Sequence, residues 1–204
     1  NKYATVYATV GYQPLELNNI TDINLTQLEK LLSKPKVIAI GEIGLDYHYD
    51  DTNKELQQKM FVSQLQLANK YNKPVVIHSR DCINETYEII KKYKNQTITG
   101  VVHCYSGSYE MTEKFKNLNL SFGIGGTLTY KTNEKTKDLV KNIPLDWIVL
   151  ETDSPYLTPE PMRKEINEPA NVIYVAKKIS EIKQISLENV INQTTKNALT
   201  LFDI

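Results

Sequence analysis

Six short apolar runs rich in β-branched residues, at 5–11, 36–46, 74–81, 98–107, 120–128 and 147–157, alternate along the chain with longer stretches of a different rhythm. In the longest of these, 53–71, Leu56, Met60, Phe61, Leu65 and Ala68 recur every three or four positions and share one face, which predicts an amphipathic helix. The same spacing predicts helices over 24–32, 85–93, 109–118 and 134–140, and two more after the last strand, over 170–182 and 187–202. Strand runs apolar on both faces and followed by helices predict a parallel α/β sheet covered on both sides. No Gly/Ser linker or low-complexity segment interrupts the pattern, so 1–204 is read as one domain.

Composition narrows the picture. A chain of 204 residues, 41% hydrophobic, has enough apolar material for a real core. Its 24 basic and 24 acidic side chains cancel, so no global field draws it to nucleic acid or to an anionic membrane, and any polyanion contact must be local. No apolar stretch approaches the roughly 20 residues that cross a bilayer, and the first ten residues lack the basic-then-apolar order of a signal peptide. The expectation is a soluble cytoplasmic protein with no membrane partner. Cys82 and Cys104 have no CxxC spacing, which argues against a disulfide framework or a thiolate zinc site.

The polar residues decide between an open sheet and a barrel. An open dinucleotide-binding sheet would place GxGxxG in its first turn, and the glycines of "FGIGGTL" sit elsewhere. In a barrel, functional side chains gather at the C-terminal ends of the strands. Four do so here: Glu42 in "VIAIGEIGLD", His78 in "PVVIHSRD", His103 in "GVVHCYSG" and Asp153 in "WIVLETDSPYL". Each has an ordinary alternative. A single strand-end histidine is more often a hydrogen-bonded core residue, and Asp before Ser-Pro commonly initiates a turn. Four such residues on different strands of one parallel sheet converge, and carboxylate with imidazole suits zinc, manganese or magnesium. A buried Glu42 also requires a partner for its charge, and metal is the reading adopted.

"GEIGLDYHYD", "KPVVIHSRD", "VVHCYSG" and "ETDSPYL", with intervals of 36, 25 and 50 residues from Glu42 to Asp153, resemble the motifs of the TatD family of metal-dependent deoxyribonucleases among the amidohydrolase-like barrels. "NEPANV" and "TTKNALTLF" resemble the family's closing helices. The resemblance implies a TIM-like (β/α) barrel with two divalent metal ions (Mg, Mn or Zn) that hydrolyses DNA phosphodiester bonds, typically from an end. It implies that Glu42 bridges the metals, that His78 and His103 bind one, and that Asp153 binds the other and handles the proton of the attacking water. Glu42 and Asp153 are thus the expected catalytic pair.

Around these, Arg80 is either a bidentate phosphate clamp or part of a structural salt bridge. Tyr105 and Ser106 are expected to line the pocket, and Cys104, one residue from His103 on a strand, to point the other way into the core. His48 is a loop residue at the pocket mouth or a further ligand. Glu151, on the face of Asp153, is a partner that orients it or an ordinary ion pair. The 13 tyrosines offer stacking surfaces for unpaired bases but mostly pack.

Two departures from the family bear on function. "GYQP" has Gln13 where the family usually has a histidine, and an amide cannot take up a proton as imidazole can. The family's opening HxH pair is absent among the three histidines, and six β/α units stand where a closed barrel has eight. The expectation is an N-terminally truncated barrel, about six of eight units. Two alternatives stay open: hydrolysis of an amide or ester on the same scaffold, and a non-catalytic relic.

Overall fold

The computed structural model describes residues 3–19, 25–49 and 53–204. The expected helix start at Asn24 and the loop residue Asp50 lie outside the described residues. Six strands follow in chain order: β1 (Ala8–Val10), β2 (Val37–Asp46), β3 (Val75–Arg80), β4 (Gly100–Val102), β5 (Leu120–Ile124) and β6 (Ile148–Leu150). The helices are α1 (Leu25–Leu32), α2 (Lys54–Tyr71), α3 (Ile83–Tyr93), α4 (Tyr109–Lys116), α5 (Glu134–Asn142), α6 (Val172–Lys183) and α7 (Leu187–Phe202). The chain forms two compact units, Asn1–Val102 with Leu201–Asp203, and His103–Thr200 with Ile204.

In the first unit β1, β2, β3 and β4 pair in that order, all parallel. The ten-residue β2 lies between two neighbours, and Ala39, Ile40, Ile43 and Leu45 are fully buried. That explains its nearly continuous apolar sequence. Phe61, Leu65 and Ala68 of α2 are equally buried, as the helical spacing predicts. Asn53 caps α2 by accepting the Leu56 N–H at 3.0 Å, and Asn72 ends it in the left-handed conformation. In the second unit β5 pairs with β6 in parallel, and Phe115, Phe122, Ile124 and Ile148 form the core. Ser108 and Asn133 cap α4 and α5 by accepting the N–H groups of Met111 and Thr136.

The helices match their expected spans closely, and α7 matches to the residue. All six strands are shorter than the apolar runs that predict them, β2 and β3 by a residue or two and the other four by more, with 120–128 forming strand only over Leu120–Ile124. The run 98–107 forms strand only over Gly100–Val102, because Cys104 turns left-handed (φ 47°). The run 147–157 forms strand only over Ile148–Leu150 and then bends at Asp153 (φ 56°) and Leu157 (φ 52°). The run 5–11 contracts to Ala8–Val10. Apolar composition marks burial, and buried loop ends carry the same mark. Four 3-10 turns, at Pro14–Asn19, Gly126–Thr129, Leu145–Trp147 and Pro169–Asn171, are too short to register as periodicity. Among the described residues no helix is long and apolar enough to cross a membrane.

Candidate metal centre

The register between β2 and β3 shifts where chemistry is needed. Ile40 faces Val75 and Ile43 faces Ile77, so three steps on β2 match two on β3 and the extra residue falls at Gly41–Glu42. Such a bulge re-aims a side chain. Glu42 is only half-buried within a strand that is otherwise largely buried, and its Oε1 lies 3.7 Å from His78 Nδ1. His78 sits opposite Gly44 in the register, and its other ring nitrogen, Nε2, is 2.8 Å from Asp46 Oδ2. Asp46, the last residue of β2, is fully buried, and its second oxygen accepts the His48 backbone N–H at 3.0 Å.

His103 follows the last residue of β4, whose Val102 pairs with Ile77, whereas His78 lies within β3 one residue after Ile77. Glu42, His78 and His103 each offer one ligand atom, and these atoms all lie within 4.8 Å of one another. One carboxylate and two imidazoles converging at that distance fit a divalent metal ion, whose first shell is built from such donors. Glu151 stands beside the His103 ring, with Oε1 3.7 Å from Nδ1, and the same oxygen accepts the Cys104 backbone N–H at 2.6 Å. It therefore braces the turn that carries His103. Gly123 makes the room: a Cβ there would lie 2.1 Å from Glu151 Oε2.

Asp153 is not one of the three clustered donors. It is exposed, in the left-handed conformation that Asp tolerates, on the loop after β6. That loop is tied to a single buried side chain. Asn167 donates from Nδ2 to the carbonyls of Thr152 (2.7 Å) and Tyr156 (2.6 Å), its backbone N–H reaches Pro155 O at 3.1 Å, and its Oδ1 accepts from Asn171 Nδ2 at 3.0 Å. The Asn167→Ala variant leaves the Thr152 and Tyr156 carbonyls without this donor. It is expected to lose about 1–3 kcal/mol in urea unfolding and to loosen the Asp153 loop, visible as faster amide hydrogen exchange over 152–156.

The remaining expected residues divide. Arg80, exposed at the end of β3, sits two residues beyond His78, hence on the same strand face, with its guanidinium carbon 5.7 Å from the Tyr49 ring centre. Ser106 is exposed, and its carbonyl accepts from Lys135 Nζ at 2.6 Å. Tyr105, expected in the pocket wall, is instead core: it is 3% exposed, its ring lies 4.7 Å from that of Phe122, and its hydroxyl donates to Ser108 O. Burial pushes that hydroxyl's pKa upward. The turn at Cys104 breaks the strand alternation on which the Cys104 expectation rested, and Cys104 itself is half-buried. His48 is exposed and pairs through Nδ1 with Asp81 Oδ2 at 2.8 Å. Gln13 takes a local role, its Oε1 accepting the Leu15 N–H at 2.6 Å at the start of the Pro14–Asn19 turn. Asp46 escaped the sequence reading, although the signal that singled out Glu42, a carboxylate within an apolar strand run, applies to it equally.

Comparison with known proteins gives the same family as the motifs. The model of the family described as TatD related DNase matches residues 1–203. An uncharacterized metal-dependent hydrolase of Bacillus subtilis, YabD, is 39% identical over 203 residues, covering 100% of this chain and 80% of the relative. Its Escherichia coli counterpart in name, YcfH, is 35% identical over 199 residues, covering 98% of this chain and 74% of the relative. The crystal structure of YjjV, a TatD homologue from E. coli, superposes with a TM-score of 0.92 at 35% identity, covering 99% of this chain and 78% of that one. A TatD family hydrolase from Entamoeba histolytica gives 0.85 at 28% identity, covering 96% of this chain and 74% of that one. The parallel β/α units are thus those of a partial TIM-like barrel. With a family model matched from end to end and a donor cluster suited to metal, the chain belongs to the TatD family of metal-dependent hydrolases.

Proposed function

We propose that the protein hydrolyses phosphodiester bonds in DNA with two divalent cations. The observation that carries this reading is the convergence of Glu42, His78 and His103 within 4.8 Å, with an exposed arginine two residues beyond His78 on the same strand face. Glu42, His78 and His103 would hold the metal. Bound divalent cations lower the pKa of water and neutralise charge on a phosphoryl transition state. Asp153, an exposed carboxylate, accepts the proton of the attacking water at its side-chain oxygen. The planar Arg80 fork takes two phosphate oxygens and holds the scissile group in register, a geometry suited to phosphate.

The test is hydrolysis of single-stranded DNA, duplex DNA and small acyl esters and amides side by side, with and without chelator. DNA cleavage that chelator abolishes and Mg, Mn or Zn restores supports the reading. Acyl turnover without DNA cleavage replaces it with an amide or ester hydrolase, and no turnover of either kind replaces it with a non-catalytic protein. For Arg80→Ala the expected result is a KM for DNA raised about tenfold with kcat nearly unchanged, because a charge-assisted contact of about 1.5–3 kcal/mol is lost from ground state and transition state alike. A steady-state titration checks it, and an unchanged KM removes the clamp.

A further inference from the structure

Helix α2 carries two buried glutamines seven residues apart, and each grips the backbone N–H and C=O of one residue just past or at a strand end. Gln64, 1% exposed, accepts the Tyr12 N–H on Oε1 at 2.7 Å and donates from Nε2 to Tyr12 O at 3.2 Å. Gln57, 2% exposed, accepts the Asp46 N–H on Oε1 at 2.8 Å and donates from Nε2 to Asp46 O at 3.1 Å and to Pro14 O at 3.4 Å. A primary amide that bonds both the N–H and the C=O of one residue holds the two peptide groups flanking that residue, and so fixes its backbone at two points. The two clamps are alike. What they hold is different.

The peptide held by Gln57 belongs to the residue that touches His78. Asp46 is fully buried; Oδ1 accepts from the His48 N–H and Oδ2 lies 2.8 Å from His78 Nε2. In a neutral His78 ring, a hydrogen bond donated from Nε2 to the Asp46 carboxylate places the proton on that nitrogen. The lone pair then resides on Nδ1, the nitrogen that faces Glu42 at 3.7 Å. A shift of the Asp46 backbone by a few tenths of an ångström would lengthen this bond and free the ring to rotate or to exchange tautomers.

We propose that Gln57 is a positioning residue for the metal centre: by clamping the Asp46 backbone at its N–H and C=O it holds the Asp46 carboxylate against His78 and so presents Nδ1 of His78 as the ligand atom. The proposal rests on reading Glu42, His78 and His103 as a metal site. Partners that orient a metal-binding histidine typically contribute 10- to 100-fold in metal affinity. Gln64 supplies a comparison on the same helix, because it grips the backbone of Tyr12, past the end of β1, and not that of the residue bonded to His78.

Two measurements on the full chain decide it. In the metal-free protein, 15N shifts of the His78 ring report the tautomer. Zinc and manganese titrations by calorimetry report affinity, with urea unfolding as the check on folding. Gln57→Met keeps the buried volume and removes all three side-chain hydrogen bonds. It is expected to mix the His78 tautomers and to weaken metal binding about tenfold or more, whereas Gln64→Met loses comparable stability and leaves both readouts at parent values. Gln57→Glu, which restores the acceptor for the Asp46 N–H, is expected to recover part of the affinity and serves as the readout should Gln57→Met fail to fold. Parent-like His78 shifts in the Gln57 variants, or equal losses of affinity in the Gln57 and Gln64 variants, overturn the proposal. A parent protein that binds no metal overturns the site reading instead, and the tautomer measurement then decides the role of Gln57 alone.

Discussion

Glu42→Gln is expected to lower DNA hydrolysis by at least about a hundredfold while the urea midpoint stays at or slightly above that of the parent. The substitution keeps the length and shape of the side chain and removes one negative charge from a cluster whose other two members, His78 and His103, would bind metal as neutral rings. A cation entering that cluster therefore loses its only formal counter-charge among the three. Without metal, a half-buried carboxylate 3.7 Å from an imidazole contributes little to the fold, which is why stability should not fall with activity. Steady-state cleavage of labelled DNA, metal content of the purified protein and urea unfolding give the three numbers required. Chelator added to the parent should reproduce the loss, and added metal should reverse it. An active Glu42→Gln protein would remove Glu42 from the metal-binding set.

The largest effect on folding is expected at a residue with no functional group. Gly44 has φ 143°, a region closed to L side chains, and it faces His78 in the β2–β3 register. A Cβ at this position would lie 2.0 Å from His78 O, 2.9 Å from its carbonyl carbon and 3.0 Å from its nitrogen. All three are backbone atoms, so no side-chain rotation relieves the overlap; the strands must part. Gly44→Ala is expected to cost more than about 4 kcal/mol and to displace His78 from Glu42 and Asp46 at the same time. Soluble yield and urea unfolding measure the first effect, and metal titration of whatever folds measures the second. A variant with the parent's midpoint would show that β2 and β3 do not approach this closely.

The alternation of apolar runs with 3.6-period stretches carried the strand order, the parallel sheet and every helix to within a few residues, because both signals report local geometry and burial, which neighbouring residues set. The chemistry was legible for a similar reason. Glu42 interrupts a strand that is otherwise largely buried, and His78 stands where the apolar run of β3 turns polar, signals visible in the chain itself. Tyr105 could not be placed in this way: its fate depends on the left-handed turn at Cys104 that ends β4 early and swings the tyrosine onto Phe122. Nor could the support of the metal centre be read from the chain. Asp46 meets His78 across 32 residues, and Gln57 reaches Asp46 from another element altogether. Periodicity states which side chains are buried, not which buried polar groups meet. A buried carboxylate or amide is stable only beside its hydrogen-bond partners, and in this protein those partners are brought together by strand register and helix docking, distances that no local pattern encodes.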